Sequence, residues 1–230
     1  MKGYFIKGLF KNKKRFYRIE NMNFKFPRSP LSFYGSDFKY YELSERILVN
    51  KYLDENDVVL ELGANVGVLS CFINKKIKYS SNQVSIEAND NIINLLQINK
   101  ERNGCNFIIE NSILSNEKGK SDFYINQSVI SSSIYKRDNN LQKISVNRVS
   151  KSILEKKYDL KFNCLIMDIE GGEYDVIKTI EFTNIKKIIL ELHNEILSKK
   201  QINFCNKKLK DEGFNLTDKI NSVEYWEKLN

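Results

Sequence analysis

Five short apolar runs, several of them closing on small or acidic residues, alternate along this chain with segments of helical spacing. Val58–Leu62 closes on Gly63, and Val66–Lys76 follows with Val66, Leu69, Phe72 and Ile73 on one face. Val84–Ala88 is the second run. A helix from about Asp90 to Arg102 comes after it, with Asn89 or Asp90 as its cap and Asn103-Gly104 as its stop. Asn106–Glu110, Cys164–Asp168 and Lys187–His193 are the third, fourth and fifth, the last two each followed by a helix candidate. Gly213–Thr217 and Ser222–Trp226 then flank Asp218–Asn221 as a terminal hairpin. Strands alternating with helices predict an α/β fold with a mainly parallel sheet covered on both faces. Near-continuous apolar runs such as Ile188–Leu190 suit strands buried on both sides.

The 230 residues suit one large domain or one domain with an appendage, and 41% hydrophobic residues suffice for a core. No apolar run reaches the roughly 18 residues of a spanning helix. The net charge of +8 is concentrated in residues 1–30, where nine Lys and Arg face only Glu20. Residues 31–230 hold 28 basic and 28 acidic side chains, so the body is neutral and offers no phosphate track. Pro27 and Pro30 punctuate the end of the basic stretch. The expected organisation is therefore a basic, aromatic-rich appendage over 1–30 and a domain over 31–230. Cys71, Cys105, Cys164 and Cys205 form no CxxC pair and read as small core residues. The start lacks the apolar core of a secretory signal, so the expected location is the cytoplasm.

In such sheets ligands bind beyond the carboxyl ends of the strands. The first strand leads into Glu61-Leu62-Gly63-Ala64-Asn65-Val66-Gly67, where Gly63 permits a tight turn and Gly67 a close backbone approach. Asn65 stands where a dinucleotide fingerprint has its second Gly, and no GK[ST] follows, so phosphate cradling is not indicated. An acidic residue and a relaxed Gly loop suit S-adenosylmethionine, a sulfonium without phosphate, with Glu61 near its amino-acid part. Glu87 lies 24 residues after Gly63, suited to accepting from both ribose hydroxyls. Asn111 and Ser112 follow the third strand and can flank an adenine. The fourth strand ends in Asp168-Ile169-Glu170-Gly171-Gly172-Glu173 and the fifth in Glu191-Leu192-His193-Asn194. Alternation puts Glu191 and His193, the one histidine of the chain, on the same side. A lone histidine can be structural; at a strand end beside a cofactor pocket it is also a candidate base.

The segments VVLELGANVGVLS (58–70), VSIEAND (84–90), LIMDIEGGEYDVI (165–177) and IILELHNE (188–195) resemble the FkbM family of S-adenosylmethionine-dependent methyltransferases. YYELSERILVNKYL (40–53) is similar to the helix preceding the glycine loop in that family. The resemblance runs in order over roughly 34–218. It implies a Rossmann-like seven-stranded methyltransferase sheet, mostly parallel with a C-terminal antiparallel hairpin and helices on both faces. It also implies methyl transfer to a hydroxyl of a sugar, a glycan such as a surface polysaccharide, or another natural product. Many members carry Lys two residues before the Asp of DIEG; Ile166 stands there in this chain.

On this reading Glu61, Gly63, Asn65, Gly67, Glu87, Asn111, Ser112 and Asp168 bind the cofactor. His193 is the base, oriented by Glu191 or Asp168, while Glu170 and Glu173 hold substrate or loop. An alternative places Mg²⁺ on Asp168 and Glu191, with Glu170 as a further oxygen ligand. The interleaved cations and aromatics of 1–30 suit an anionic membrane face or a lipid-linked glycan, hence peripheral attachment at the inner membrane face, or RNA, on whose bases aromatics can stack; the alternative is an arm packed on its own domain or on a dimer partner. RNA methylation is a rival activity, disfavoured by the neutral body and by the lack of an Asn-Pro-Pro-Tyr-type motif after the fourth strand. A non-catalytic binding module of the same fold is the third reading.

Overall fold

The computed structural model describes residues 16–26, 38–125 and 142–228. Tyr17–Ile19 (β1) and Met22–Phe24 (β2) pair as a hairpin turned at Glu20. Leu43–Tyr52 (α1) leads to Val59–Leu62 (β3), Val68–Lys76 (α2), Gln83–Ile86 (β4) and Asp90–Arg102 (α3). Ile108–Glu110 (β5) is followed by Ile113–Leu114 (β6), Lys120–Ile125 (β7), Gln142–Val149 (β8) and Lys151–Tyr158 (α4). Cys164–Met167 (β9), Glu173–Thr179 (α5), Lys187–Glu191 (β10), Lys199–Asp211 (α6), Phe214–Ile220 (β11) and Val223–Lys228 (β12) complete it.

Seven strands form one sheet in the order β11-β12-β10-β9-β3-β4-β5. The five from β10 to β5 are parallel; β12 runs antiparallel to β10 and to β11. This is the expected fold class. Side-chain alternation divides the core between the two faces. Leu60, Leu62, Leu165, Met167, Ile188 and Leu190 face α4, α5 and α6 in one apolar cluster. Val59, Cys164, Ile166 and Ile189 face α1 and α2 in another, with Leu48, Val49, Leu69 and Ile73. All four cysteines are buried and unpaired. Among the described residues, no helix is long and apolar enough to cross a membrane.

The polar half of the amphipathic patterns is also assigned. Asn89 caps α3 by accepting from the Asn91 N–H, Ser150 caps α4, and Ser198 with Gln201 makes a capping box on α6.

Residues 16–26 of the expected appendage are bound to the domain. Ile19 and Phe24 are fully buried with Leu96 and Phe107, each contributing about 1.5–3 kcal/mol by area burial. The buried Asn99 side chain of α3 accepts from the Lys25 N–H at 2.7 Å and donates to the Lys25 carbonyl at 2.9 Å and the Val66 carbonyl at 2.8 Å. Phe24 and Phe26 are thus core side chains and are not available to stack on bases or enter a membrane. Residues 1–15, with most of the basic cluster, and Pro27 and Pro30 lie outside the described residues.

The hairpin at the C-terminal end differs from expectation in its turn. A register shift between Leu216 and Asp218 carries β11 on to Ile220, so Asp218–Ile220 are strand and Asn221-Ser222 make the turn. A smaller three-stranded sheet, β6-β8-β7, was not legible in the sequence; its Phe123, Ile125 and Val146 pack with Ala88 beyond the end of β4.

Candidate active site

The strand order reverses at β3, with β4 on one side and β9 on the other, and the cavity opens beyond the carboxyl ends of these strands. Its volume is about 570 Å³, within the range of small-molecule and cofactor sites. One end lies among Ala88, Ile92, Ile113 and Phe123; the other lies among Glu45, Glu191 and Ser222.

Gly63 sets the floor. Its φ is +88°, and a Cβ there would stand 1.8 Å from the Asp168 carbonyl oxygen, so β3 and β9 can approach this closely only with glycine. Three non-glycine residues of the cavity wall, Glu42, Asn65 and Glu170, also have positive φ, near 50°. Such backbone concentrates where surrounding structure holds a site in shape. Glu87 fastens the loop: the Asn65 N–H donates to its Oε2 and the Asn89 N–H to its Oε1, both at 2.7 Å. Burial pushes the Glu87 carboxyl up to about 7 despite these donors.

Gly63, Asn65, Glu87, Ser112, Asp168, Glu170 and Glu191 line the cavity. Five other expected site residues do not: Glu61, Gly67, Asn111, Glu173 and His193. Glu61 points to the opposite face of β3, toward α2, where Ser70, Gln83 and Ser85 donate to its carboxylate. Strand alternation puts it there, and it ties β3, β4 and α2 together. Gly67 starts α2 and packs on Leu96. Asn111 donates its side-chain amide to the Glu87 and Ala88 carbonyls, holding the end of β4. Glu173 is fully buried behind His193, where its Oε1 lies 2.6 Å from Nδ1 and accepts the Gly171 N–H.

Glu173, rather than Glu191 or Asp168, therefore orients the imidazole. Nε2 of His193 faces three carboxylate oxygens: Asp168 Oδ1 at 3.6 Å, Glu170 Oε2 at 3.8 Å and Glu191 Oε2 at 3.9 Å. Burial alone would lower the imidazole pKa. The Glu173 hydrogen bond and the surrounding carboxylates outweigh it and raise it to about 9, which favours the protonated ring. Burial and the neighbouring Glu191 in turn push the Asp168 carboxyl well above its ordinary range.

Sequence reasoning missed Glu42 and Glu45, three residues apart at the start of α1, which the fold turns over the cavity mouth. Burial raises both, Glu45 to about 7, and the Glu42 carboxylate accepts the Leu69 N–H at 2.8 Å. Asn221 and Ser222 of the terminal hairpin also reach the wall: Ser222 donates to Glu191 Oε1 at 2.5 Å and Asn221 to Ser44 Oγ at 3.0 Å. Among the described residues, the wall holds seven carboxyl side chains and no Lys or Arg.

The residues present fit S-adenosylmethionine. Ser112, almost fully buried on the wall, has a hydroxyl with no partner among apolar neighbours, as an adenine edge requires. The Asn65 side-chain oxygen is likewise buried and unpartnered beside the glycine turn. Sheet order, glycine turn and strand-end acids together define a Rossmann-like methyltransferase domain.

The chain belongs to the FkbM methyltransferase family: the profile of the methyltransferase FkbM domain matches residues 61–219. No curated protein sequence matches the chain. Among solved structures it is similar to the tRNA (uracil-54, C5)-methyltransferase of Pyrococcus abyssi in complex with S-adenosyl-L-homocysteine, at 15% identity and TM-score 0.50, covering 94% of this chain and 44% of that one. It is also similar to the ribosomal protein L11 methylase of Lactobacillus delbrueckii subsp. bulgaricus (12% identity, 80% and 77% coverage, TM-score 0.47). A third is the precorrin-6y C5,15-methyltransferase of Geobacter metallireducens (13%, 79% and 84%, 0.45).

Proposed function

We propose that this chain transfers the methyl group of S-adenosylmethionine to a hydroxyl of a neutral or cationic sugar, glycan or related natural product. The observation that supports it best is the imidazole of His193, fixed by buried Glu173, with Nε2 turned to Asp168, Glu170 and Glu191 on the wall of a cofactor-sized cavity.

The bound cofactor supplies a methyl carbon already activated by its sulfonium. The chain's own residues do the rest. Glu87 has lone pairs left beyond its two backbone bonds and accepts the ribose hydroxyls. Ser112 and the slot of Ala88, Ile92, Ile113 and Phe123 take the adenine. The acceptor enters at the Glu45–Glu191–Ser222 end, where carboxylates and a hydroxyl suit a polyhydroxylated ligand. With the cofactor bound, the acceptor oxygen would take the methyl group as the C–S bond broke, its electron pair staying on sulfur. His193 Nε2 takes the hydroxyl proton. That step needs the neutral imidazole, and a cationic cofactor held by the wall carboxylates would work in that direction. Glu173 keeps the ring turned so that Nε2, not Nδ1, meets the acceptor.

RNA is disfavoured as acceptor, because the wall, among the described residues, carries carboxyls and no Lys or Arg to meet phosphates. The test is calorimetric binding of S-adenosylmethionine, followed by methyl transfer to neutral sugars, amino sugars and RNA oligonucleotides. Transfer to a sugar hydroxyl, lost in His193→Gln while cofactor binding persists, is the expected result. No cofactor binding by folded protein, or transfer to RNA alone, would overturn the proposal.

A further inference from the structure

The segment that enters α1 carries an exposed ring to the cavity mouth. Among the described residues six large apolar side chains are exposed, and Tyr40, 60% exposed, is the one of them that lines the cavity. A single exposed aromatic is ordinary on a protein surface, but this one is held from both sides. Phe38 and Tyr41 beside it are buried. Phe38 packs on Tyr17 of β1 and on Phe26, with ring centroids 4.0 and 4.9 Å apart, and Tyr41 meets Phe26 edge-on at 5.2 Å. Arg46 of α1 is buried and donates from Nη2 to the Lys39 carbonyl at 2.5 Å and from Nε to the Tyr41 carbonyl at 3.0 Å. It thereby grips the backbone on either side of Tyr40. Its Nη1 is paired at 2.5 Å with Glu20, at the turn of the β1–β2 hairpin. The Lys39 ammonium lies over one face of the Tyr40 ring, 4.7 Å from its centroid, which leaves the opposite face for a ligand.

We propose that Tyr40 selects the acceptor: the open face of its ring packs against the C–H face of a pyranose or similar polyhydroxylated ring, and Arg46, fixed by Glu20, is its positioning residue. A sugar presents hydroxyls at its edge and C–H groups on its faces, whose hydrogens are drawn to the negative face of an aromatic ring. The cavity offers both halves of that match. Carboxyls and Ser222 take hydroxyls, and Tyr40 is the exposed aromatic of the wall, since Tyr41 and Phe123 are buried. A cofactor is enclosed for transfer while the acceptor arrives from solvent, so a ring on the rim meets the acceptor. The assignment rests on the methyl-transfer reading with a sugar as acceptor. It gives the N-terminal hairpin a part in acceptor choice, through Glu20 and Arg46, although neither touches the acceptor.

The experiment uses the full chain saturated with S-adenosylhomocysteine and a panel of methyl hexopyranosides and methyl aminohexopyranosides, with binding read by saturation-transfer difference NMR. Expected is a sugar whose ring C–H protons receive saturation, bound about tenfold more weakly by Tyr40→Ala and as well as by the parent in Tyr40→Phe, which keeps the ring. S-adenosylhomocysteine affinity, measured by calorimetry on the same samples, should stay within about twofold of the parent. Arg46→Lys lacks the planar fork that reaches both carbonyls, so it should weaken the sugar too, and Tyr40→Ala in that background should add little. If Arg46→Lys does not fold, Glu20→Ala, which removes a solvent-exposed carboxylate, takes its place in the cycle. A sugar bound equally by parent and Tyr40→Ala, or weakened as much by Tyr40→Phe, overturns the ring contact. Loss of S-adenosylhomocysteine affinity in Tyr40→Ala assigns the ring to the cofactor and overturns its role in acceptor choice. Additive losses in the cycle overturn the positioning role of Arg46. Absence of sugar binding by protein that binds S-adenosylhomocysteine overturns the sugar reading itself, and the role of Tyr40 falls with it.

Discussion

Replacing Glu87 by Gln should separate stability from cofactor binding, and in opposite directions. Burial raises the Glu87 pKa from an ordinary 4.5 to about 7 in the folded chain. A carboxyl raised in the native state favours folding fully below its unfolded pKa, and that advantage is lost as pH rises through the native one. Between pH 4.5 and 7 this residue should therefore remove about 3 kcal/mol of stability, since each tenfold change in proton affinity is worth about 1.4 kcal/mol. Gln cannot ionise, so Glu87→Gln removes this dependence. Its amide still accepts one of the two N–H bonds from Asn65 and Asn89, much as the protonated acid does. The clean quantity is the change in stability of variant relative to parent between pH 5 and pH 8. It should favour the variant at pH 8 by about 3 kcal/mol, or ~6–12 °C in Tm for a chain of this size. Urea unfolding of the apo protein at both values measures it. The same variant should bind S-adenosylmethionine roughly 10- to 100-fold more weakly at pH 8, because a charge-assisted acceptor is worth about 1.5–3 kcal/mol. Parallel pH profiles for parent and variant, or unaltered cofactor affinity, would refute the reasoning.

Ser112→Ala should stabilise the apo protein by about 1 kcal/mol, since it deletes a buried hydroxyl without a partner, yet weaken cofactor binding about tenfold; urea melts and calorimetry on one preparation read both. Gly63→Ala should lose more than about 4 kcal/mol, combining positive-φ strain with a Cβ driven onto the Asp168 carbonyl, and a soluble variant with parental Tm would contradict the packing described. Asn99→Ala should cost about 3 kcal/mol through its three lost backbone partners and release residues 16–26 to limited proteolysis; an unchanged cleavage pattern would show that the hairpin is held otherwise.

The large sheet was legible because its strands are continuous apolar runs separated by helical spacing, and both features survive in a single sequence. What was not legible had no local signal. The strands β1 and β2 are three residues each, too short for a period, and they are held by a distant part of the chain: Asn103, just past α3, binds the Asn23 backbone of β2, and Asn99 of α3 binds the backbone of the following Lys25. The pairing of β6 with β8 joins Ile113 to Arg148, a contact that no turn chemistry announces. The terminal hairpin was found but its turn was misplaced, because a bulge near Thr217 lets polar Asp218 and Lys219 remain in a strand. The site divides the same way. Asp168, Glu170, Glu191 and His193 are strand-end residues of the parallel sheet and could be found by position alone. Glu61 was assigned to the cofactor for the same reason, but alternation turns it to the other face. Glu42 and Glu45 reach the cavity only because α1 packs across β10 and β12.

Counting charges along the chain also concealed how they are arranged. Residues 31–230 are neutral in sum, yet the cavity wall holds seven carboxyls and, among the described residues, no Lys or Arg. A wall of one sign in a low-dielectric cleft focuses its field on whatever enters. S-adenosylmethionine carries a sulfonium and an ammonium against one carboxylate, whereas S-adenosylhomocysteine has lost the sulfonium charge. Methyl transfer therefore removes the positive charge this wall attracts. A charge pair about 4 Å apart is worth ~4 kcal/mol at an effective dielectric constant of 20, before salt screening and shared protons reduce it. Retaining about a third of that gives S-adenosylmethionine at least a tenfold advantage over its product. The advantage should shrink as ionic strength rises from about 0.01 to 1 M, where the screening length falls from roughly 30 to 3 Å. Calorimetric titrations of both ligands across that range would check it. Product bound as tightly as cofactor at low salt would mean that the carboxyls are neutralised by protons or by a resident cation, and that product release is not driven by charge.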